Sequence, residues 1–465
     1  MLNVISSFLL NGLNSSLLFY IQLGTLFCIL FSANSFGHPD YFLICLHLLI
    51  GFVSLWLIVR KSFGLLANTL GIYTLVGFCF SPILELLTGT VYWDGSALSF
   101  SSQLMGIIWT VIFLLLFILG YHQKLNFPSC ISMSKTVKSL RMRETYPLVV
   151  ISIILFLFLI SLYDWNFTTL FFRGGEFSSD LQVDTKSSFL IVEFFLRPLI
   201  FNIGLFLFFF RRQSNFLWIV SLFAGILAAF PTGIPRFLAT SLYIPFCLNW
   251  AVSYISDSGI RLQKLNFFLS NILLFGLVFV FPFLDVFRFY TSSKINSFAI
   301  LNFDTFLSGH FDGFQMLVRA LDVGSINFGF GFFGAILFFV PRSFWPEKPI
   351  SSAPEIAALS NLSFDNLSMP LIAEFYLNYW YVGIIVGGFL LGVIFGAVDR
   401  FFQHTAFRPV TIPLLFFFES IGLVLLILRG SFLSAFAYFV AVALTWIFIW
   451  LAYLFFHALK PSPAI

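Results

Sequence analysis

Apolar runs of about 20 residues recur along almost the whole chain, and no other feature constrains its fold as strongly. An α-helix rises about 1.5 Å per residue, so a run of that length crosses roughly 30 Å of hydrocarbon with its backbone polar groups bonded internally. Such runs lie at 15–34, 41–59, 63–88, 102–121, 146–163, 188–210, 214–230, 237–255, 266–284, 371–398, 409–428 and 433–456. They predict an all-α polytopic integral membrane protein of about 12 transmembrane helices, one membrane domain over residues 1–465. Only 9% of residues are charged and 60% are hydrophobic, against about 25% charged in a soluble domain, so a soluble enzyme is excluded. The 69 phenylalanines read as lipid-facing bulk. Cys28, Cys45, Cys79, Cys130 and Cys247 are scattered, without the spacing of a metal site or disulfide framework. No metal, cofactor or nucleic-acid partner is expected. The first run lacks a basic lead-in and a cleavage site, and reads as a retained anchor.

Charge sets the orientation. With the N-terminus inside, the cytoplasmic segments hold Arg60, Lys61, Lys124, Lys135, Lys138, Arg141, Arg143, Arg211, Arg212, Arg261, Lys264, Arg400, Arg408 and Lys460. The short outer loops hold only Arg173, Lys186, Arg236 and Arg429, a positive-inside pattern with both termini cytoplasmic. A thirteenth apolar run, 326–340, is glycine-rich and short. Making it a span would move Arg400, Arg408 and Lys460 outside. It is therefore expected to form a re-entrant or short helical segment near 326–345, within a large external loop, 285–370, between the ninth and tenth spans.

Ionisable groups in or near hydrocarbon are costly and rarely face lipid. On this topology Glu85, Glu193, Arg197, Arg236, Arg288, Glu374 and Arg429 all fall in the outer halves of their spans, which points to a polar cavity open to the outside. Glu193 and Arg197, four residues apart, serve either that cavity or simply each other. Glu419, near the middle of its span, reads as a structural hydrogen-bonding group, and the small residues of "GGFLLGVIFG" (387–396) as helix packing. Arg236 stands in a tight, proline-bounded connection, "FPTGIPRFLA". With Arg288, Arg342, Lys348 and Arg429 it gives five cations around one mouth. Guanidinium forks suit phosphate oxygens, so a lipid-linked phosphate or diphosphate is the expected ligand.

Three stretches, "GHFDGFQMLVRALD" (309–322), "GFGFFGAILFFVPRSFWPEKP" (329–349) and "AEFYLNYWYVGIIVGG" (373–388), resemble the Wzy-type O-antigen polymerases, which join oligosaccharide repeat units. The likeness covers about a quarter of the chain. It implies a GT-C-like membrane glycosyltransferase of the bacterial inner membrane with a periplasmic active face. Its substrates would be undecaprenyl-diphosphate-linked oligosaccharides, donor and acceptor, and a chain-length regulator protein is an implied partner. On that reading Arg236, Arg288, Arg342 and Arg429 neutralise diphosphate with Lys348 in support. Asp312 and Glu374, then Glu193, are the candidates for a base or sugar ligand, and Arg319 binds substrate or pairs with Asp312 or Asp322. One pattern of some members, arginine and glycine separated by ten residues in two external loops, is missing. Phe330 and Asp184 stand where the glycines after Arg319 and Arg173 would fall.

Two other readings stay open. An O-antigen ligase would use a loop histidine, for which His310 is the candidate. A twelve-span flippase or transporter would place its charges near mid-membrane.

Overall fold

The computed structural model describes residues 40–60, 62–93, 98–124, 142–172, 191–210, 216–258, 262–280, 306–307, 309–364, 367–405 and 410–458. The run expected at 15–34, and Arg288, lie outside the described residues. Within them the protein is all-helical, with no strand. The long helices are α1 (Tyr41–Val59), α2 (Leu65–Thr88), α3 (Phe100–Tyr121), α4 (Met142–Leu162) and, after the short α5 (Phe167–Phe171), α6 (Val192–Phe210). Then come α7 (Phe216–Ala228), α8 (Arg236–Ser258) and α9 (Leu262–Phe275). Three short helices follow, α10 (Gly313–Val323), α11 (Phe330–Ile336) and α12 (Ser352–Leu359), before α13 (Leu371–Thr405), α14 (Ile412–Arg429) and α15 (Phe432–Ala458). Among the described residues, eight helices are long and apolar enough to cross a membrane: α1, α2, α3, α4, α6, α13, α14 and α15. This is a polytopic membrane protein.

Lipid tails are as apolar as leucine, so the helices associate through close packing and hydrogen bonds between them. Glycines make the packing close. A Cβ added at Gly120 would stand 2.1 Å from the Phe389 carbonyl oxygen, and one at Gly392 2.1 Å from that of Phe117. Thus "GGFLLGVIFG" is the face with which α13 meets α3. One buried body gathers α1, α2, α3, α9, α10, α12 and α13, and another gathers α4, α6, α7 and α15. Helices α8 and α14 contribute to both, Leu248 and Phe418 to the first, Leu242 and Leu415 to the second.

The end of the bundle that carries residues 309–369 is called here the loop end. At the opposite end Asp399 of α13 caps α2 from outside. Its carboxylate accepts from the backbone N–H of Leu66 (3.0 Å) and Ala67 (3.3 Å) and from the Tyr121 hydroxyl (2.9 Å). Unpaired N–H groups and the helix dipole make a helix N-terminus favour an anion.

Two irregularities shape the loop end. α2 widens at Leu75–Phe80 into a π turn, and the Phe78 carbonyl is bonded by Nδ1 of the buried His47 at 2.7 Å. α13 breaks at Tyr379 and Trp380, whose φ of +57° is left-handed. The segment before α11 docks on that break. Asn327 N–H donates to the Leu377 carbonyl (2.7 Å) and Gly329 N–H to that of Asn378 (2.8 Å), while the Asn378 side chain accepts from Phe332 N–H (3.0 Å). Non-helical backbone at membrane depth needs such partners. Gly329 has a φ of +83°, and a Cβ there would lie 2.3 Å from the Tyr379 hydroxyl. The run at 326–340 thus forms a seven-residue helix, α11, between turns, too short to cross a bilayer.

Candidate functional site

Asp312, Gln315, Arg319 and Asp322 follow one another at spacings of three, four and three, which puts them on one stripe of α10. Asp312, Gln315 and Arg319 are buried. This stripe faces the loop end of α2, the segment around Trp93 and the start of α3. Trp93 Nε1 donates to Asp312 Oδ2 at 2.7 Å, the Ser368 hydroxyl donates to the other carboxylate oxygen, and Arg319 Nη2 donates to the Trp93 carbonyl at 3.2 Å. Ser102 of α3 donates to Asp322. The donors on the Asp312 carboxylate among the described residues are thus the neutral Trp93 and Ser368, and charges stand within electrostatic reach. Glu85 is within electrostatic reach of Asp312 and Arg319, and Tyr73 within reach of Arg429 and Asp312. Burial pulls the Arg319 guanidinium below its usual value, while Asp322 and Glu85 push it back up.

Arg429 ends α14, and its Nη2 donates to the Gly309 carbonyl at 2.8 Å. The short junction after it is held by the large loop. Met369 N–H donates to the Arg429 carbonyl (3.0 Å), and the hydroxyls of Ser351 and Ser431 are bonded to each other. Glu374 Oε1 accepts from the Phe432 N–H at 2.9 Å and from the Ser352 hydroxyl. Glu374 thus does for α15 what Asp399 does for α2.

Glu193 and Arg197 form a closed knot. Arg197 Nε lies 3.1 Å from Glu193 Oε1, and the Tyr163 hydroxyl donates to that oxygen (2.6 Å) while accepting from Arg197 Nη2 (2.6 Å). Arg197 Nη1 donates to the Gly233 carbonyl at 2.9 Å, tying down the turn before Arg236. Both side chains are nearly inaccessible, Arg197 at 1% and Glu193 at 4%. Arg236 opens α8. Ser241 of α8 abuts Gly422 of α14, and five residues toward the loop end along these antiparallel helices stand Arg236 and Ile427. Arg236 is therefore nearly level with Arg429.

The hook "FVPRSFWPEKP" closes on itself. Arg342 donates to the carbonyls of Lys348 (2.6 Å) and Pro349 (3.3 Å), and Lys348 Nζ donates to those of Val340 (3.0 Å) and Phe338. Partial burial and neighbouring Arg342 lower the Lys348 ammonium from its usual value. Trp345 packs edge-on against Phe330 and Phe333. At mid-membrane, Glu419 accepts from Asn202 (3.2 Å) and Trp446 and serves as a polar link between α6, α14 and α15.

The structure therefore brings Asp312, Arg319 and Arg429 together, with Arg236 at a similar depth, and gives Glu193, Glu374, Arg342 and Lys348 partners of their own. Tyr73, Trp93, Gln315 and Ser368 complete the first group and do not stand out in the sequence. Only Gln315, three residues after Asp312 on an amphipathic helix, had a spacing that could have flagged it. No family model, curated protein or solved structure matches the chain.

Proposed function

We propose that the protein is a glycosyltransferase that polymerises polyprenyl-diphosphate-linked oligosaccharide repeat units at the outer leaflet of the bacterial inner membrane. The loop end faces the periplasm in this reading, both termini are cytoplasmic, and a chain-length regulator is its protein partner. The supporting observation is the grouping around Asp312: a buried carboxylate held by two neutral donors, with Arg319 and Arg429 nearby at the end of the bundle.

That grouping suits the reaction. The acceptor sugar's hydroxyl oxygen attacks the anomeric carbon of the growing glycan, its proton passes to Asp312, and the bond to the lipid diphosphate breaks, the diphosphate leaving with the electron pair. A positioned carboxylate base contributes about 10²–10⁴-fold to such a step. Fixed cations stabilise the leaving charge, a role for Arg429, Arg319 and Arg236, with Arg288 assigned from sequence. Arg342 and Lys348 brace the loop instead, and Glu374 and Glu193 are structural anions.

Deletion of the gene followed by gel analysis of the surface polysaccharide tests this. Caps of a single repeat unit are the expected outcome. Loss of all attached polymer would favour a ligase, and an unchanged ladder would exclude both.

A further inference from the structure

Three side chains beside Asp312, one buried and two half-buried, carry buried polar atoms with no hydrogen-bond partner. Gln315 is 1% exposed, and neither its amide nitrogen nor its amide oxygen is bonded. The Tyr73 hydroxyl is buried and unbonded, 2.9 Å from where a Cβ on Gly313 would stand, and Gly313 follows Asp312 directly. Arg429 Nε is buried and unbonded as well. Leaving a buried donor or acceptor unmade costs about 1–3 kcal/mol, and most such groups in folded proteins have partners. Single unbonded atoms also occur in other buried side chains, such as Trp109 Nε1 and Glu193 Oε2, but among the described residues Gln315 alone has two. A fully unbonded amide on α10 next to an acid, with unbonded atoms of α2 and α14 close to the same acid, marks a place for a polar guest.

The chemistry of these groups describes the guest. The Gln315 amide offers two donors and an acceptor, and the Tyr73 hydroxyl both gives and takes. Asp312 accepts. This is the complement of a polyhydroxyl surface, whose groups each donate and accept, and not of a phosphate, which only accepts. Apolar and aromatic flanks are also present: Trp93 stacks on Phe364 at 5.4 Å and 10°, with Tyr92 edge-on at 4.7 Å, and both Phe364 and Tyr92 remain exposed. Flat, partly exposed rings beside convergent hydrogen-bonding groups suit the apolar face of a pyranose.

We infer that Gln315 and Tyr73 form a sugar-binding subsite that seats the acceptor's terminal residue against Asp312. The subsite rests on the polymerase reading for its placement in the reaction, but its affinity for sugar does not depend on it. Gln315 is a binding residue, and its amide holds a hydroxyl beside the one that reacts.

The test uses full-length protein purified in detergent, with two probes from a strain lacking the gene: its lipid-linked repeat unit, and the same oligosaccharide freed from the lipid. Binding of the free oligosaccharide is followed by saturation-transfer NMR, and polymerisation of the lipid-linked unit by gel. Q315M keeps the volume and removes the amide. It is expected to abolish or weaken oligosaccharide binding about tenfold and to raise the acceptor KM by a similar factor, more than it lowers kcat. Y73F is expected to do the same to a smaller degree. Neither should lower the melting temperature, since an unpaired buried polar group is removed. Unchanged binding and KM in Q315M, or a melting temperature lowered by several degrees with binding intact, would show an amide satisfied by water and overturn the subsite. Absence of oligosaccharide binding by the wild type would do so too. If the wild type binds oligosaccharide, Q315M does not, and no polymer forms, the subsite stands while the polymerase reading falls.

Discussion

Two clusters at the loop end have similar residues and opposite construction. Around Arg197 the charges are matched at contact: the carboxylate of Glu193, the ring and hydroxyl of Tyr163 and two backbone carbonyls surround one guanidinium. Around Asp312 the hydrogen bonds come from neutral groups, and polar atoms of Tyr73, Gln315 and Arg429 are left over. The first cluster also keeps unbonded atoms, Glu193 Oε2 and Arg197 Nε, but its charges meet at 3.1 Å, and its bonds join α5, α6 and the turn before α8. The second holds its carboxylate with the Trp93 indole and the Ser368 hydroxyl, and its cations stand further out. Buried charge alone thus does not mark a functional site; what separates the two clusters is whether the carboxylate is met by an opposite charge or by neutral donors.

The sharpest way to break the comparison is to remove one side of the closed pair. Arg197→Met leaves the Glu193 carboxylate buried and unmatched, a loss of about 3–5 kcal/mol. Thermal unfolding in detergent should show a large fall in melting temperature, and the double variant Glu193→Gln with Arg197→Met should recover much of it, because a neutral pair leaves no stranded charge. Whatever folds should still polymerise. If the single variant is as stable as wild type, the knot is not a lock.

In the open cluster the effects should appear in rate. Asp312→Asn keeps an oxygen for one of its two donors and removes the base, so the polymerisation rate should fall about 10²–10⁴-fold with little change in melting temperature. A rate within a few-fold of wild type would remove Asp312 from the chemistry. Arg429→Gln should act more mildly, raising the donor KM and lowering kcat together, because Arg319 and Arg236 still supply positive charge.

Much of this was legible in the sequence, for definite reasons. Hydrocarbon thickness fixes the length of a span, so the apolar runs at 41–59, 102–121 and 433–456 match helices α1, α3 and α15 nearly to the residue. The spacing of Glu193 and Arg197 offered their pairing as one of two readings. The break in α13 was hidden, because Tyr379 and Trp380 are neither glycine nor proline; the strain there is sustained by Asn327 and Gly329 about fifty residues earlier. Asp312's partners were hidden too, since Trp93 is 219 residues away. The role of Glu374 could not be separated from a catalytic one by its position alone, because a cap for another helix and a base in a cavity call for the same residue at the same depth.

Glu374→Gln separates those two possibilities. As a cap for α15 the amide oxygen still accepts from the Phe432 N–H, while the favourable interaction of a full negative charge with the helix dipole is lost. The cost is about 0.5–2 kcal/mol of stability, with polymerisation per folded molecule retained. A 100-fold loss of rate at unchanged stability would instead return Glu374 to the reacting groups.

The smallest effect is expected in the proline-rich hook. Arg342→Ala deletes two hydrogen bonds from an exposed side chain to its own loop, worth about 1 kcal/mol at most together, so both the melting temperature and the donor KM should stay close to wild type. Arg236→Ala, by contrast, removes a half-buried cation nearly level with Arg429 and should raise the donor KM. The pair of variants measured side by side divides the five cations of the sequence into those that meet substrate and those that brace a loop. A rise in donor KM for Arg342→Ala equal to that for Arg236→Ala would mean that the hook opens to admit diphosphate, and that its carbonyls hold the arginine only until substrate arrives.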